Sequence, residues 1–182
     1  MSWDGEEYQE RFDSLAASGV DVHGEADFVA RWQPGSVLDA GCGTGRVARE
    51  LARRGIDTVG IDRDGSMIAT ARRHAPGLVW VLGDIADYDL GRHFDVVAMA
   101  GNVPLFTPEG TQADLVAGCA RHLGPGGSLI AGFQLDRRYP LSAYDEHCGL
   151  VGLECAGRFA SWSGDPFSEG APYAVSVHRK SA

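Results

Sequence analysis

Three aspartates each follow a short apolar run: Asp39 after Val37-Leu38, Asp62 after Val59-Gly60-Ile61, and Asp84 after Val81-Leu82-Gly83. The first leads into Ala40-Gly41-Cys42-Gly43-Thr44-Gly45-Arg46, a glycine-rich turn that opens an amphipathic stretch. Gly41 and Gly43 let the backbone turn tightly and let a ligand lie against it. A turn of this kind between strand and helix suits a nucleotide-like ligand at a helix N-terminus. Spacing narrows the choice. A dinucleotide fingerprint needs a small residue at its last place, where helix packs on strand; counted from Gly41, that place holds Arg46. The Gly-Lys-Ser/Thr ending of a phosphate loop is missing too. Asp39 ahead of the turn would repel a pyrophosphate and suits a ligand carrying positive charge. Asp62 stands about where an acid grips ribose hydroxyls in doubly wound folds. Plain alternatives stand beside these readings: Asp62 and Asp84 each precede a helical pattern and could be helix caps, and Gly43 and Gly45 could serve the turn alone.

To bring such residues together, the chain must place its apolar runs in one sheet. Runs at 36–38, 57–61, 78–82, 94–99 and 128–133 alternate with amphipathic stretches, and several do not alternate polar with apolar. That pattern predicts parallel strands covered on both faces by helices, joined as right-handed βαβ units. From 46 to 54, Val47, Ala48, Leu51 and Ala52 share one helix side and Arg46, Arg49, Glu50 and Arg53 mostly the other, with Gly55 as the stop. Ser66 is placed to cap the next helix, and Thr111-Gln112-Ala113-Asp114 reads as a capping box with Asp for Glu. Residues 5–17 and 24–32 predict two N-terminal helices, the first with Tyr8, Phe12 and Leu15 on one side. After residue 134 a helix over 140–149 precedes strands near 151–162 and 172–179, an antiparallel pair. The carboxyl ends of the parallel strands then gather Asp39, Asp62 and Asp84 at one crevice, beside the topological switch point.

At this point the residues match a family. Val37 to Arg46 resembles the first motif of class I S-adenosylmethionine-dependent methyltransferases. Ile61-Asp62-Arg63, Gly83-Asp84-Ile85, Phe94-Asp95-Val96-Val97 and Leu123-Gly124-Pro125-Gly126-Gly127 are similar to its later motifs, in order, and the likeness extends over residues 30–180. The resemblance implies an α/β fold: a Rossmann-like, doubly wound, mostly parallel seven-stranded sheet in the order 3-2-1-4-5-7-6, strand 7 antiparallel, with helices on both faces. It implies one domain over 1–182, with the helices of 1–33 as a lid. The cofactor would be S-adenosylmethionine and its product S-adenosylhomocysteine. Gly41 and Gly43 would meet its methionine part with Asp39 nearby, Asp62 the ribose hydroxyls, and Asp84 and the Ile85 backbone the adenine. Arg63 and Met67 would pack on the adenine, Gly101 and Asn102 face the sulfonium, and Tyr8, Arg11 and Phe12 close over the cofactor. Tyr8 and Phe12 as core residues, and Met67 as packing, are the plain alternatives.

A sulfonium methyl is already activated, so alignment and exclusion of water come first, and no universal catalytic residue is expected. Asn102 and Tyr144 are the substrate-contact candidates, within 1–23, 101–108 and 134–147. His23 and His147 are candidate bases, and Tyr139, Trp162 and Phe167 candidate pocket walls. Gly101-Asn102-Val103-Pro104-Leu105-Phe106 departs from the Asn-Pro-Pro-Tyr type motif, which puts DNA adenine and protein glutamine in doubt as acceptors. The chain has 182 residues and a formal net charge of −9, which disfavours nucleic acid as a partner. The arginine pairs at 53–54, 72–73 and 137–138 sit among acids and read as solvated helix faces. No apolar run is long enough for a membrane span, and the acidic N-terminus lacks a signal peptide's apolar stretch, so a cytoplasmic location is expected. Cys42, Cys119, Cys148 and Cys155 form no CxxC pair and no metal site is expected. The short chain favours a small, accessible acceptor or one bound at a dimer interface, which leaves a homodimer open. Competing readings are a cofactor-binding protein without catalysis, an aminopropyl transferase and a nicotinamide dehydrogenase.

Overall fold

The computed structural model describes residues 4–135 and 137–182. In chain order the elements are α1 (Gly5–Ala17), α2 (Gly24–Ala30), β1 (Ser36–Ala40), α3 (Arg46–Arg53), β2 (Asp57–Asp62), α4 (Gly65–His74), β3 (Val79–Leu82), β4 (Phe94–Met99), α5 (Val103–Phe106), α6 (Gln112–Arg121), β5 (Leu123–Gln134), α7 (Leu141–Leu150), β6 (Leu153–Phe159) and β7 (Tyr173–Lys180). All strands join one sheet in the order β3-β2-β1-β4-β5-β7-β6. Pairs from β3 to β5 are parallel, and β7 runs antiparallel to both β5 and β6. This is the expected Rossmann-like order.

The continuous apolar runs have a direct cause. Successive strand residues point to opposite faces, and each face has its own core. Leu38, Ala40, Val97, Met99, Leu129 and Ala131 meet Leu115, Cys119 and Tyr144 from α6 and α7. Val37, Val96, Ala98 and Ile130 meet Phe28, Val47 and Leu51 from α2 and α3. With both faces covered, the central strands have no polar side to show.

Helix signals held at some ends and failed at others. Gly55 follows α3 at φ +84°, where the stop was expected. Glu50, expected on the outer face of α3, is instead buried and takes Arg53 and Arg54 onto its carboxylate. Asp64, not Ser66, caps α4, accepting the amides of Ser66 and Met67; its carboxylate lies just ahead of the first turn, where the free amides point. The capping box at Thr111 does not form, because its hydroxyl donates to the Pro108 carbonyl. β6 ends at Phe159 rather than near 162, so the chain leaves the strand and carries Trp162 back over the sheet.

Candidate active site

The glycine turn lies where β1 hands over to α3. Gly41, Gly43 and Gly45 have φ of +77°, +55° and +81°, a left-handed backbone that strains other residues. The amides of Gly41 and Cys42 donate to the Ile61 carbonyl at 2.8 and 3.0 Å, stapling the turn to the end of β2. A Cβ at Gly45 would overlap the Trp80 ring, which also lies on Gly60. Gly45 therefore has a packing duty of its own.

Asp62 is the hub. One oxygen accepts the Gly43 amide at 2.8 Å and the other the Asp64 amide at 2.9 Å. Burial still raises its pKa above the ordinary value. Both oxygens are thus fixed in direction and keep lone pairs for a vicinal diol. Asp84 lies at the same sheet edge, where the Gly83 amide donates to the Asp62 carbonyl at 3.0 Å. Its carboxylate is partly exposed, accepts the Ala86 amide at 3.1 Å across a turn and stands 3.8 Å from Arg63. No helix stands between Asp84 and β4, so the helix-cap alternative does not apply to it. Ile85 is buried in the core, and its carbonyl presses on Gly118. Met67 is half-buried on α4, and Arg63 reaches across to the Phe106 carbonyl at 3.4 Å.

Asp39 lies deeper than its sequence position suggests. It is 1% exposed and accepts the Ala48 amide at 3.1 Å, inside the first turn of α3. Burial pushes its carboxyl up to about 7. It sits beneath the turn, so its effect on a bound cation is through space.

Gly101 and Asn102 follow β4 with φ of +74° and +66°. The Asn102 Oδ1 accepts the Gln134 amide at 2.9 Å, and the Asn102 amide donates to the Gly132 carbonyl at 3.2 Å. Asn102 thus ties this loop to the end of β5. Val103 then leans on Gly41, 2.7 Å from where a Cβ would stand.

From above, α1 roofs the turn. The Tyr8 ring lies 3.8 Å from the Cβ position of Gly43 and 5.0 Å, centroid to centroid, from Phe12. Arg46 holds the roof down. It makes a bidentate pair with Glu25 at 2.6 and 2.8 Å, donates to the Val22 carbonyl, and lies 4.6 Å over the Phe12 ring. Gln9 takes Arg49 at 3.0 Å, while Glu6 takes Thr70 and Arg73 on α4. Arg11, expected over the cofactor, is exposed, and the arginine that contacts Phe12 and the segment after α1 is Arg46. A cation at a helix N-terminus opposes the helix dipole, and this misfit was the available signal for Arg46.

Other candidates landed elsewhere. Tyr144 is fully buried between Phe133 and His178 with its hydroxyl toward Cys148, so it belongs to the core and has no surface for an acceptor. Tyr139 is 5% exposed and bonded to His147 at 2.8 Å, which occupies both. His23 faces a groove between α1 and α3 with Glu50 and Arg53. Phe167 lies 5.9 Å from Arg158.

Residues 37–127 match the family described as methyltransferase domain. A TehB-like S-adenosylmethionine-dependent methyltransferase structure from Corynebacterium glutamicum is 36% identical, covers 97% of each chain and superposes at a TM-score of 0.91. The chain belongs to the S-adenosylmethionine-dependent methyltransferases. Among curated relatives of this methyltransferase, an aminosugar N,N-dimethyltransferase of Streptomyces venezuelae (dTDP-3-amino-3,4,6-trideoxy-alpha-D-glucopyranose) is 33% identical, over 68% of the chain and 52% of the relative. A ubiquinone biosynthesis O-methyltransferase of Alkalilimnicola ehrlichii is 32% identical, over 66% and 56%. The methyltransferase chain thus spans about half the length of the curated relatives it matches.

Proposed function

We propose that this chain transfers the methyl group of S-adenosylmethionine to a small-molecule acceptor and releases S-adenosylhomocysteine. The observation that carries the reading is the anchored Asp62, whose two oxygens are each aimed by a backbone amide beside three left-handed glycines. Such a carboxylate fits a ribose diol, and the bare glycine backbone fits a ligand lying flat on it. Bound there, the cofactor supplies an activated methyl on a sulfonium. Asp62 would hold the ribose, Gly41 and Gly43 the methionine part, and Asp84, Ile85, Arg63 and Met67 the adenine. Asp39 would add negative potential beneath the positive sulfur. Gly101 and Asn102 would border the reacting centre, and Tyr8 would shut out water from above.

The helices of 1–33 act as a lid on a single domain, supported by the Arg46 contacts to Glu25, Val22 and Phe12. Relatives named for methylation at nitrogen and at oxygen match parts of this chain, which supports a shared cofactor half and a separately built acceptor side. A small uncharged or weakly charged acceptor, rather than nucleic acid, is supported by the state of the arginine clusters: Arg53 and Arg54 are paired with Glu50, and Arg73 with Glu6. Among the described residues no helix is long and apolar enough to cross a membrane.

Calorimetric titration with S-adenosylmethionine and S-adenosylhomocysteine tests the reading. Wild type should bind at micromolar levels, and Asp62→Ala about 100-fold more weakly, for loss of charge-assisted hydrogen bonds to two hydroxyls. Absence of binding by the wild type would remove the proposal.

A further inference from the structure

β5 carries a glycine in its interior, where a side chain would normally pack. Gly132 lies between the fully buried Ala131 and Phe133, in a strand paired on both sides. An interior strand glycine weakens the strand and marks a close approach. Here the approach is by two aromatic side chains. A Cβ at residue 132 would stand 2.6 Å from the Tyr173 hydroxyl and 2.7 Å from an indole carbon of Trp162. The two are joined: Trp162 Nε1 donates to Tyr173 Oη at 2.9 Å. The Trp162 ring is held edge-on by Phe28 of α2 at 5.6 Å.

This pair borders the reacting end of the site. Tyr173 opens β7 opposite Gln134, whose amide is bonded to Asn102. The carbonyl of Gly132 itself receives the Asn102 amide. Ala100, just ahead of Gly101, packs in the same cluster as Trp162 and Tyr173. On the other side, the Glu25 charge is felt at the Tyr173 hydroxyl, and Glu25 grips Arg46 of the cofactor helix. Arg46 of the glycine turn holds Glu25, whose charge reaches Tyr173 through space, and contacts run from Tyr173 and Trp162 through Gly132 to Asn102.

We propose that Tyr173, aimed by Trp162 and given room by Gly132, is the hydrogen-bond donor that reads the methyl acceptor. The acceptor is a compact molecule with a flat apolar face and a hydrogen-bond-accepting oxygen or nitrogen beside the methylated atom. The inference rests on the methyl-transfer reading above. Tyr173 Oη already accepts the indole proton, so its own O–H remains available to donate. Burial pushes the phenol up to about 12, which keeps that proton in place at neutral pH. Tyr173 is thus a donor and not a base. Glu25 is matched by Arg46, so the wall facing the acceptor is polar without net charge. Trp162 and Tyr173 are both only half-buried, which leaves aromatic surface for a flat ligand.

The test separates the cofactor from the acceptor. S-adenosylmethionine carrying a tritiated methyl is incubated with the small-molecule fraction of a cell extract, at several dilutions, with wild type and Tyr173→Phe. Affinity for S-adenosylmethionine is measured beside it by calorimetry. Tyr173→Phe keeps the ring and should bind the cofactor within about twofold of wild type, while its transfer falls about tenfold at low acceptor, as for one lost hydrogen bond. The deficit should shrink as the extract is concentrated, the signature of a raised acceptor KM. Trp162→Phe, which keeps an aromatic wall but drops the N–H, should show the same split at about threefold. Full transfer by Tyr173→Phe, or an equal loss of cofactor binding, overturns the inference and leaves the methyl-transfer reading standing. A wild type that binds the cofactor and transfers nothing overturns both.

Discussion

Two tryptophans pack against glycines, one in each half of the sheet, and they end in different tasks. Trp80 of β3 covers Gly45 and Gly60, is 7% exposed, and gives its indole N–H to the Ala75 carbonyl at 2.8 Å. Trp162 covers Gly132, is half-buried, and gives its N–H to the Tyr173 hydroxyl. In the first half the polar atom is consumed by backbone, and the indole welds the glycine turn, β2 and the α4–β3 connection into one piece. In the second the polar atom serves the hydroxyl of another side chain. On the proposed reading, the half that would hold the cofactor is the tightly packed one, and the half that would meet the acceptor keeps a polar group available. The residues of the first half are those that match the methyltransferase domain, 37–127, and both Trp162 and Tyr173 lie outside that span.

The charge buried under the rigid half offers the largest effect. The Asp39 carboxyl is raised from its ordinary value to about 7 by burial, so the folded state binds this proton more tightly than the unfolded chain does. Stability from this group is therefore present at low pH and lost as pH rises from about 4 to 7, by about 4 kcal/mol at full extent. Asp39→Asn keeps an acceptor for the Ala48 amide and should lack most of that fall. Urea denaturation at pH 5 and pH 8 measures it; parallel slopes for the two proteins would show that Asp39 does not carry the buried charge.

Next in size is the weld itself. Gly45→Ala combines a left-handed backbone with a clash against Trp80 and should cost about 3 kcal/mol. Gly55→Ala, at φ +84° but with nothing within 4 Å of the new carbon, should cost only about 1 kcal/mol. Equal losses in thermal unfolding would mean that Trp80 moves aside easily and that the first half is less rigid than described. Smaller again, Arg46→Met removes the bidentate grip on Glu25 while keeping an apolar stem over Phe12. It should weaken S-adenosylmethionine binding about tenfold and speed proteolysis within α1, since a broken buried ion pair loosens the lid. Unchanged affinity would separate the lid from the cofactor. The smallest effect belongs to Tyr144→Phe: less than about 1 kcal/mol of stability and no loss of transfer, because the ring packs and the hydroxyl touches only the interior. A tenfold loss of transfer would return Tyr144 to the acceptor side.

How much of this was legible can be followed residue by residue. The glycines at 41, 43 and 45 and the aspartates at 39, 62 and 84 carry short-range requirements, a left-handed backbone or a strand end, and such requirements show in spacing. Arg46 was visible as a residue that did not fit a dinucleotide turn, but its partners Val22 and Glu25 come from another helix. In α7, polar and apolar residues alternate around the axis, so nothing in the run marks which side faces inward. That is why Tyr144 read as exposed to a substrate while the fold turned it into the core.

By itself, the sequence determined the element order, the parallel sheet with its antiparallel ending, and the left-handed glycine turn between β1 and α3. These follow from local periodicity and from backbone angles that only certain residues adopt without strain. Tertiary structure decided that Asp39 is buried, that Arg46 ties Val22, Glu25 and Phe12 together, and that Trp162 and Tyr173 meet over Gly132. Each of those depends on contacts between distant segments, where packing of two faces and not spacing along the chain selects the partner.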